Sequence, residues 1–244
     1  MIEGYRPVLS FGEDSAATYD RSPRGDEAET VEFLAGLTGD GRALELAIGT
    51  GRIALPLAAR GVPVDGIELS EPMVRQLRGK PGGAEIAVTM GDFAEVGVEG
   101  SYRLIYLVYN TFFNLLTQDD QVRCFQNVSR HLDESGVFAI EAFTPGWLMR
   151  LRDAQYVDAE KIELGSVTLD VGRHDPVNQM LDESHVVLGP GGVQVFPIVC
   201  RYCWPSELDL MARLAGLRLH HRWGGWMGEP FTGESKRHIS VYGW

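Results

Sequence analysis

Three acidic side chains and two glycines give this sequence its clearest chemical signature. Glu45 sits inside the apolar run 43–48, and Gly49 and Gly51 follow at once. Glycines there let the chain turn sharply and bring backbone close to a ligand. A helix read at 53–59 would offer free N–H groups to an anionic group. A second apolar run, 62–67, ends in Glu68, placed to accept hydrogen bonds from a ribose diol. A third, 85–89, leads into Met90-Gly91-Asp92-Phe93. The pattern predicts a nucleotide-like ligand at the carboxyl ends of parallel strands.

Gly49, Gly51 and Ala54 also spell G-x-G-x-x-A, with Glu68 about 20 residues on, as in a dinucleotide fingerprint. That reading leaves Glu45 and the signature at Asp92 unused, and the chain has no Tyr-x-x-x-Lys pair for hydride chemistry. Several residues also have a plain structural role open to them. Asp92 suits a helix N-cap, Met73 suits a core, and Asn110 suits a strand end.

A fourth apolar run, 104–108, leads into Tyr109-Asn110-Thr111-Phe112-Phe113. With it the chain resembles the class I S-adenosylmethionine-dependent methyltransferases. The resemblance rests, in order, on ELAIGTG (45–51), GIELSEPMV (66–74), GDF (91–93) and YRLIYLVYNTFFNLL (102–116). It covers about residues 15–143 and, more weakly, the rest. It is strongest to small-molecule enzymes that methylate amines or sugars in bacterial secondary metabolism.

The resemblance implies S-adenosylmethionine as the cofactor and distributes roles. Glu45 faces its amino-acid end, with Ala47, Gly49 and Gly51 giving room for its backbone. Glu68 binds the ribose hydroxyls. Leu69 and Met73 pack on the adenine, which Gly91, Asp92 and Phe93 bind along its polar edge. Asn110 and Phe113 lie beside the methionine portion, and Tyr19, in a Tyr-Asp segment, folds over it. Acidic residues suit a ligand that carries a sulfonium cation and no pyrophosphate.

The elements that must position these residues alternate between strand and helix: 43–48, 53–59, 62–67, 71–78, 85–89, 103–108, 119–132 and 137–142. That order predicts an α/β, doubly wound, mostly parallel sheet. Residues 1–25 read as an irregular arm, and 26–37 as a helix with Val31, Leu34 and Leu37 on one stripe. Past Phe143 the pattern becomes antiparallel. Three β segments, 161–171, 179–188 and 193–203, are joined by turns near Pro176 and Pro190. A helix opens at Pro205, and strands 217–223 and 238–243 close the chain. In the resembled fold those two complete a seven-stranded, Rossmann-like sheet. The expected organisation is 1–143 for the arm and cofactor-binding core, 144–204 for an acceptor-binding antiparallel cap over the active site, and 205–244 for completion of the sheet.

Aromatic residues in the cap and tail are candidates to wall an acceptor pocket or hold an amine by cation–π contact. Trp147 leads, because it follows the fifth strand directly; Tyr202, Trp204 and Trp226 join it. Methyl transfer is an in-line displacement aided by alignment and a dry pocket. A neutral amine needs no protein base, whereas a hydroxyl benefits from one. His185, His238 and Glu141 are the candidate bases. His131, at the end of a helix, reads as structural, and His220 and His221 face opposite ways on a strand.

The 244 residues suffice for one large α/β domain with an insertion. The 34 acidic and 22 basic residues give a net charge of −12, a surface that repels phosphate backbones and excludes nucleic acid as a partner. The sequence holds no apolar stretch of membrane-spanning length. Its start lacks a signal core, so a cytoplasmic location is expected. Cys124, Cys200 and Cys203 are too few for a disulfide framework. Cys200 and Cys203 lack the further ligands a zinc site needs, so no metal is expected. The expected function is methyl transfer from S-adenosylmethionine to a small-molecule acceptor at nitrogen or oxygen. A nicotinamide-dependent oxidoreductase and a non-catalytic cofactor-binding subunit are the alternatives. The composition permits a homodimer.

Overall fold

The computed structural model describes residues 4–21, 24–95 and 97–244. The arm holds a 3-10 turn, Pro7–Phe11, and a short helix, Glu13–Thr18 (α1). Then come α2 (Glu27–Thr38), β1 (Ala43–Leu46), α3 (Ala54–Ala59), β2 (Val64–Glu68), α4 (Glu71–Arg78), β3 (Ala87–Met90) and β4 (Tyr102–Leu107). Helix α5 (Gln118–His131) runs straight into β5 (Leu132–Phe143). Strands β6 (Gln155–Glu163), β7 (Ser166–Asp175), β8 (Met180–Gly189) and β9 (Gly192–Arg201) follow, then α6 (Pro205–Leu214), β10 (Arg218–Trp223) and β11 (Arg237–Gly243).

Seven strands form one sheet in the order β10-β11-β5-β4-β1-β2-β3. Neighbours from β5 to β3 pair in parallel, while β11 pairs antiparallel with both β5 and β10. Apolar residues on both faces of β4 explain its place in the middle. Leu104 and Tyr106 pack with Val31, Leu34 and Leu57 on one side. Ile105 and Leu107 pack with Phe125, Val128, Leu208 and Met211 on the other. The period of two sends alternate side chains to opposite helical layers.

The cap is a separate antiparallel sheet of four strands, β6-β7-β8-β9, where the sequence pattern predicted three. The extra strand is β6, almost wholly exposed along its length. Without a buried face it leaves no alternation to read, and Leu164-Gly165 turns the chain in two residues. The boundary of β5 also moved: it starts at Leu132, not 137. Helix α4 is capped by Ser70, whose Oγ accepts from the Met73 N–H at 3.2 Å.

Two contacts clip the arm between the sheets. Ser70 Oγ donates to the Phe11 carbonyl at 2.6 Å on the core side. Ser10 Oγ donates to the Pro197 carbonyl at 2.5 Å on the cap side.

Candidate functional site

Two adjoining cavities open at the carboxyl ends of the core strands. The first is narrow and lined by Tyr19, Ala47, Gly49, Glu68, Leu69, Met73, Asp92 and Phe93, together with Phe11, Ser70, Thr111 and Asn114. The second, of about 450 Å³, lies between the core and the inner face of the cap. Phe11, Tyr19, Thr111 and Asn114 belong to both walls, so the cavities meet there.

The turn after β1 forms the floor of the first cavity. Ala47 and Gly49 take φ of 55° and 57°, and Gly51 takes 78°. A left-handed alanine is strained, a state that persists where surroundings impose it. At Gly51 a Cβ would come within 2.4 Å of Leu77 Cδ1, so only glycine lets α4 pack against the turn. Glu68 is 6% exposed, and its carboxylate accepts from the backbone N–H of Gly49 (2.8 Å), Leu69 (3.0 Å) and Ser70 (2.8 Å). A carboxylate has about four acceptor positions, so one remains open toward the cavity. Burial raises the Glu68 pKa, and these N–H groups pull it back down. Asp92 is exposed at the cavity edge and also accepts from the Ala94 N–H at 2.8 Å, so its capping and ligand-facing readings coexist. Thr50 Oγ1 and Lys80 Nζ each bond Asp20 at 2.7 Å, which fixes Tyr19 at the junction.

Four residues expected at the cofactor lie off the cavity walls. Glu45 is 3% exposed and accepts from Tyr106 Oη at 2.9 Å beneath the floor; burial pushes its pKa up to about 8. Phe113 is fully buried against Phe143, with ring centroids 4.9 Å apart. Gly51 serves the packing just described, and Gly91, ahead of Asp92, is likewise absent from the lining.

Beyond β4 the chain turns through two consecutive left-handed residues, Tyr109 (φ 55°) and Asn110 (φ 63°). Glu141 holds this turn: its Oε2 accepts from the Tyr109 N–H at 2.7 Å. Its Oε1 accepts from Trp226 Nε1 at 3.2 Å and Arg237 at 3.0 Å. Both oxygens are occupied and neither faces a cavity, so Glu141 is a positioning residue and not the base expected from sequence. Asn110 does line the second cavity, and its Oδ1 accepts from the Phe143 N–H at 2.6 Å. The Arg24 guanidinium lies 3.7 Å from the Tyr109 ring centroid on the same wall.

The cap contributes Glu160, Leu181, Glu183, His185, Phe196, Ile198 and Cys200 to the second cavity, and the segment after β5 contributes Trp147. His185 Nδ1 lies 2.6 Å from Asp170 Oδ1, and its Nε2 lies 3.6 Å from Glu183 Oε1. Glu160, Asp170 and His185 bring one ligand atom each within 4.8 Å of the others. Burial raises the Glu183 pKa, countered by its hydrogen bond from Tyr156 and the proximity of His185. The three cysteines are buried free thiols, with that of Cys200 pushed up to about 12 by burial.

Four other acceptor-side expectations are corrected by the geometry. His238 is fully buried, bonds Ser240 Oγ at 2.8 Å and touches neither cavity; burial pushes its pKa down to about 3. Tyr202 is 1% exposed and bonds His174 at 2.7 Å, because β9 ends at Arg201 and the chain turns before 202 can continue the cavity-facing row. Trp204 points to solvent at the start of α6, 40% exposed. Trp226 is buried against Phe33 while donating to Glu141. Sequence reasoning missed Phe11 and Glu183. The spacing Leu181, Glu183, His185 on one strand is the signal that places Glu183 on the same face as His185.

A methyltransferase-domain family profile matches residues 43–136. The CcbJ methyltransferase from Streptomyces caelestis is 35% identical, with a TM-score of 0.91 over 97% of this chain and 98% of that one. The cypemycin N-terminal methyltransferase of a Streptomyces species is 27% identical over 83% of each chain. CalS10 from Micromonospora echinaspora, an amino pentose methyltransferase solved with S-adenosylmethionine, shares the fold at 22% identity, covering 94% of this chain and 95% of that one, with a TM-score of 0.69. Among the described residues no helix is long and apolar enough to cross a membrane. The donor set fits S-adenosylmethionine: a pre-oriented Glu68, the exposed Asp92, and apolar walls at Leu69, Met73 and Phe93. The chain belongs to the S-adenosylmethionine-dependent methyltransferases and transfers a methyl group from that cofactor to a small-molecule acceptor.

Proposed function

We propose that the chain methylates a basic nitrogen on a drug-sized acceptor held in the second cavity, with residues 144–204 serving as the acceptor-binding cap. One observation carries this reading: the cavity next to the cofactor pocket presents Glu160 and Glu183 around His185, with Trp147 and Phe196 as aromatic walls. Carboxylates and aromatic faces favour a protonated amine, and about 450 Å³ is in the range of drug-sized ligands. Two relatives are named for an N-terminus and an amino pentose, which supports nitrogen.

S-adenosylmethionine supplies an electrophilic methyl group on a sulfonium. Glu68 would accept from its ribose and Asp92 from its adenine amine, while Tyr19 stands at the junction between the two cavities. The amine needs a free lone pair to attack. With Asp170 holding the Nδ1–H, His185 keeps a lone pair on Nε2 to take the acceptor's proton. The composition supports a cytoplasmic protein without nucleic-acid partners, and permits a homodimer.

The test is a panel of primary and secondary amines, each paired with its alcohol, scored by S-adenosylhomocysteine release and product mass. Turnover confined to amines is the expected result; turnover confined to alcohols overturns the choice of nitrogen.

A further inference from the structure

On the inner face of the cap, Tyr156, Gly172 and Glu183 stand directly opposite one another on β6, β7 and β8. The middle position is bare. A Cβ at Gly172 would lie 2.2 Å from Tyr156 Cε1 and 2.6 Å from its hydroxyl oxygen. The tyrosine ring therefore lies flat across β7, in the slot the glycine leaves. Its hydroxyl donates to Glu183 Oε2, a residue from two strands away. Gly172 has no left-handed backbone, so the restriction is one of space alone.

The arrangement fixes one oxygen of the carboxylate and leaves the other turned into the cavity. Glu183 is 18% exposed at its side chain, and Oε1 lies on the His185 side. Trp147 meets the Tyr156 ring edge-to-face, with centroids 5.2 Å apart at 83°, and both Trp147 and Glu183 line the cavity. Burial and the Glu183 charge raise the Tyr156 pKa, so the phenol keeps its proton and stays a donor. Glu160, by contrast, is 45% exposed at its side chain and pairs only loosely with His185, at 3.5 Å.

We propose that Glu183 is the specificity-determining residue that anchors the acceptor's ammonium group, and that Tyr156, lying in the slot at Gly172, is its positioning residue. This deepens the nitrogen reading above and rests on it. An anchored ammonium beside His185 is where its proton can be removed, and Trp147 supplies the aromatic wall. A neutral alcohol of the same shape can donate one hydrogen bond to Oε1 but brings no charge to it.

The probes are benzylamine, protonated at neutral pH, and its neutral isostere benzyl alcohol. Each is titrated by calorimetry into protein saturated with S-adenosylhomocysteine. The wild type is expected to prefer the cation by about tenfold or more, the scale of one charge-assisted contact. Glu183→Gln keeps an acceptor for Tyr156 and removes the charge; it should abolish the preference. Tyr156→Phe and Gly172→Ala keep the charge but free or displace the carboxylate; each should reduce the preference by about threefold. Binding of S-adenosylhomocysteine stays unchanged in all three if the variants fold normally. A Glu183→Gln protein that keeps the preference overturns the proposal and leaves the nitrogen reading standing. A wild type that does not prefer the cation overturns both. Wild-type behaviour of Tyr156→Phe together with Gly172→Ala overturns the positioning role alone.

Discussion

In the seven-stranded sheet, Glu68 is held by three backbone N–H groups from its own turn and the neighbouring one. In the four-stranded sheet, Glu183 is held by a tyrosine from two strands away, across a glycine. The first arrangement needs only a strand end and a tight turn, and survives most side-chain changes nearby. The second depends on three residue identities in register, and one substitution resets it. A cofactor that does not change suits the first. An acceptor that differs from one enzyme to the next suits the second.

The sharpest way to break this contrast is at His185. Changing it to Asn should lower kcat about 10²- to 10⁴-fold while S-adenosylmethionine affinity stays put; equal losses in both would mean that the cap also shapes the cofactor site. Next comes Glu141. Its replacement by Ala strands the Tyr109 N–H and Trp226 Nε1–H, and should cost about 3 kcal/mol in urea unfolding. A catalytic base would instead cost rate and leave stability intact.

Glu68→Ala should weaken S-adenosylmethionine binding by about 100-fold in calorimetry. Loss of acceptor affinity without loss of cofactor affinity would place Glu68 on the wrong side of the comparison. Glu45 gives a pH-dependent effect. Its pKa is pushed up to about 8 by burial, from an ordinary 4.5. The unfolded chain ionises it first, so stability falls as pH rises through that window, by up to about 1.4 kcal/mol per unit. Buried His238, pushed down to about 3 from 6.5, works the other way: its contribution is lost as pH falls below 6.5. Glu45→Gln should remove the first slope and leave the second, as read by unfolding at several pH values. Smallest of all, Trp204→Ala should change stability by no more than about 0.5 kcal/mol and leave acceptor KM unaltered, since the ring points to solvent.

The same contrast governs what could be read from the sequence. The glycine turn and Asp92 sit within a few residues of the backbone groups they bond, and Glu68 bonds the adjacent Leu69 and Ser70 N–H groups as well as the distant Gly49 N–H, so local pattern marked these positions. The middle strands of the core sheet, β1, β2, β4 and most of β5, are buried on both faces and read as apolar runs. The cap was harder. Strand β6 has no buried face, so its register with β7, and hence the Tyr156–Glu183 contact, was invisible. Trp147 follows β5 closely and reached the cavity as expected, but the facing of Tyr202 depended on where β9 ends. His238 and Glu141 carry suitable chemistry on strands whose sides are decided by neighbours far along the chain.

The clipped arm has a consequence for how the two ligands communicate. Phe11 and Tyr19 belong to both cavities, and the arm is tied to the core at Ser70 and to the cap at Pro197. Whatever reorders the arm for one ligand alters the free energy of binding the other, by the same factor in both directions. The arm is thus a wall common to the two chambers, fastened to both sheets at once.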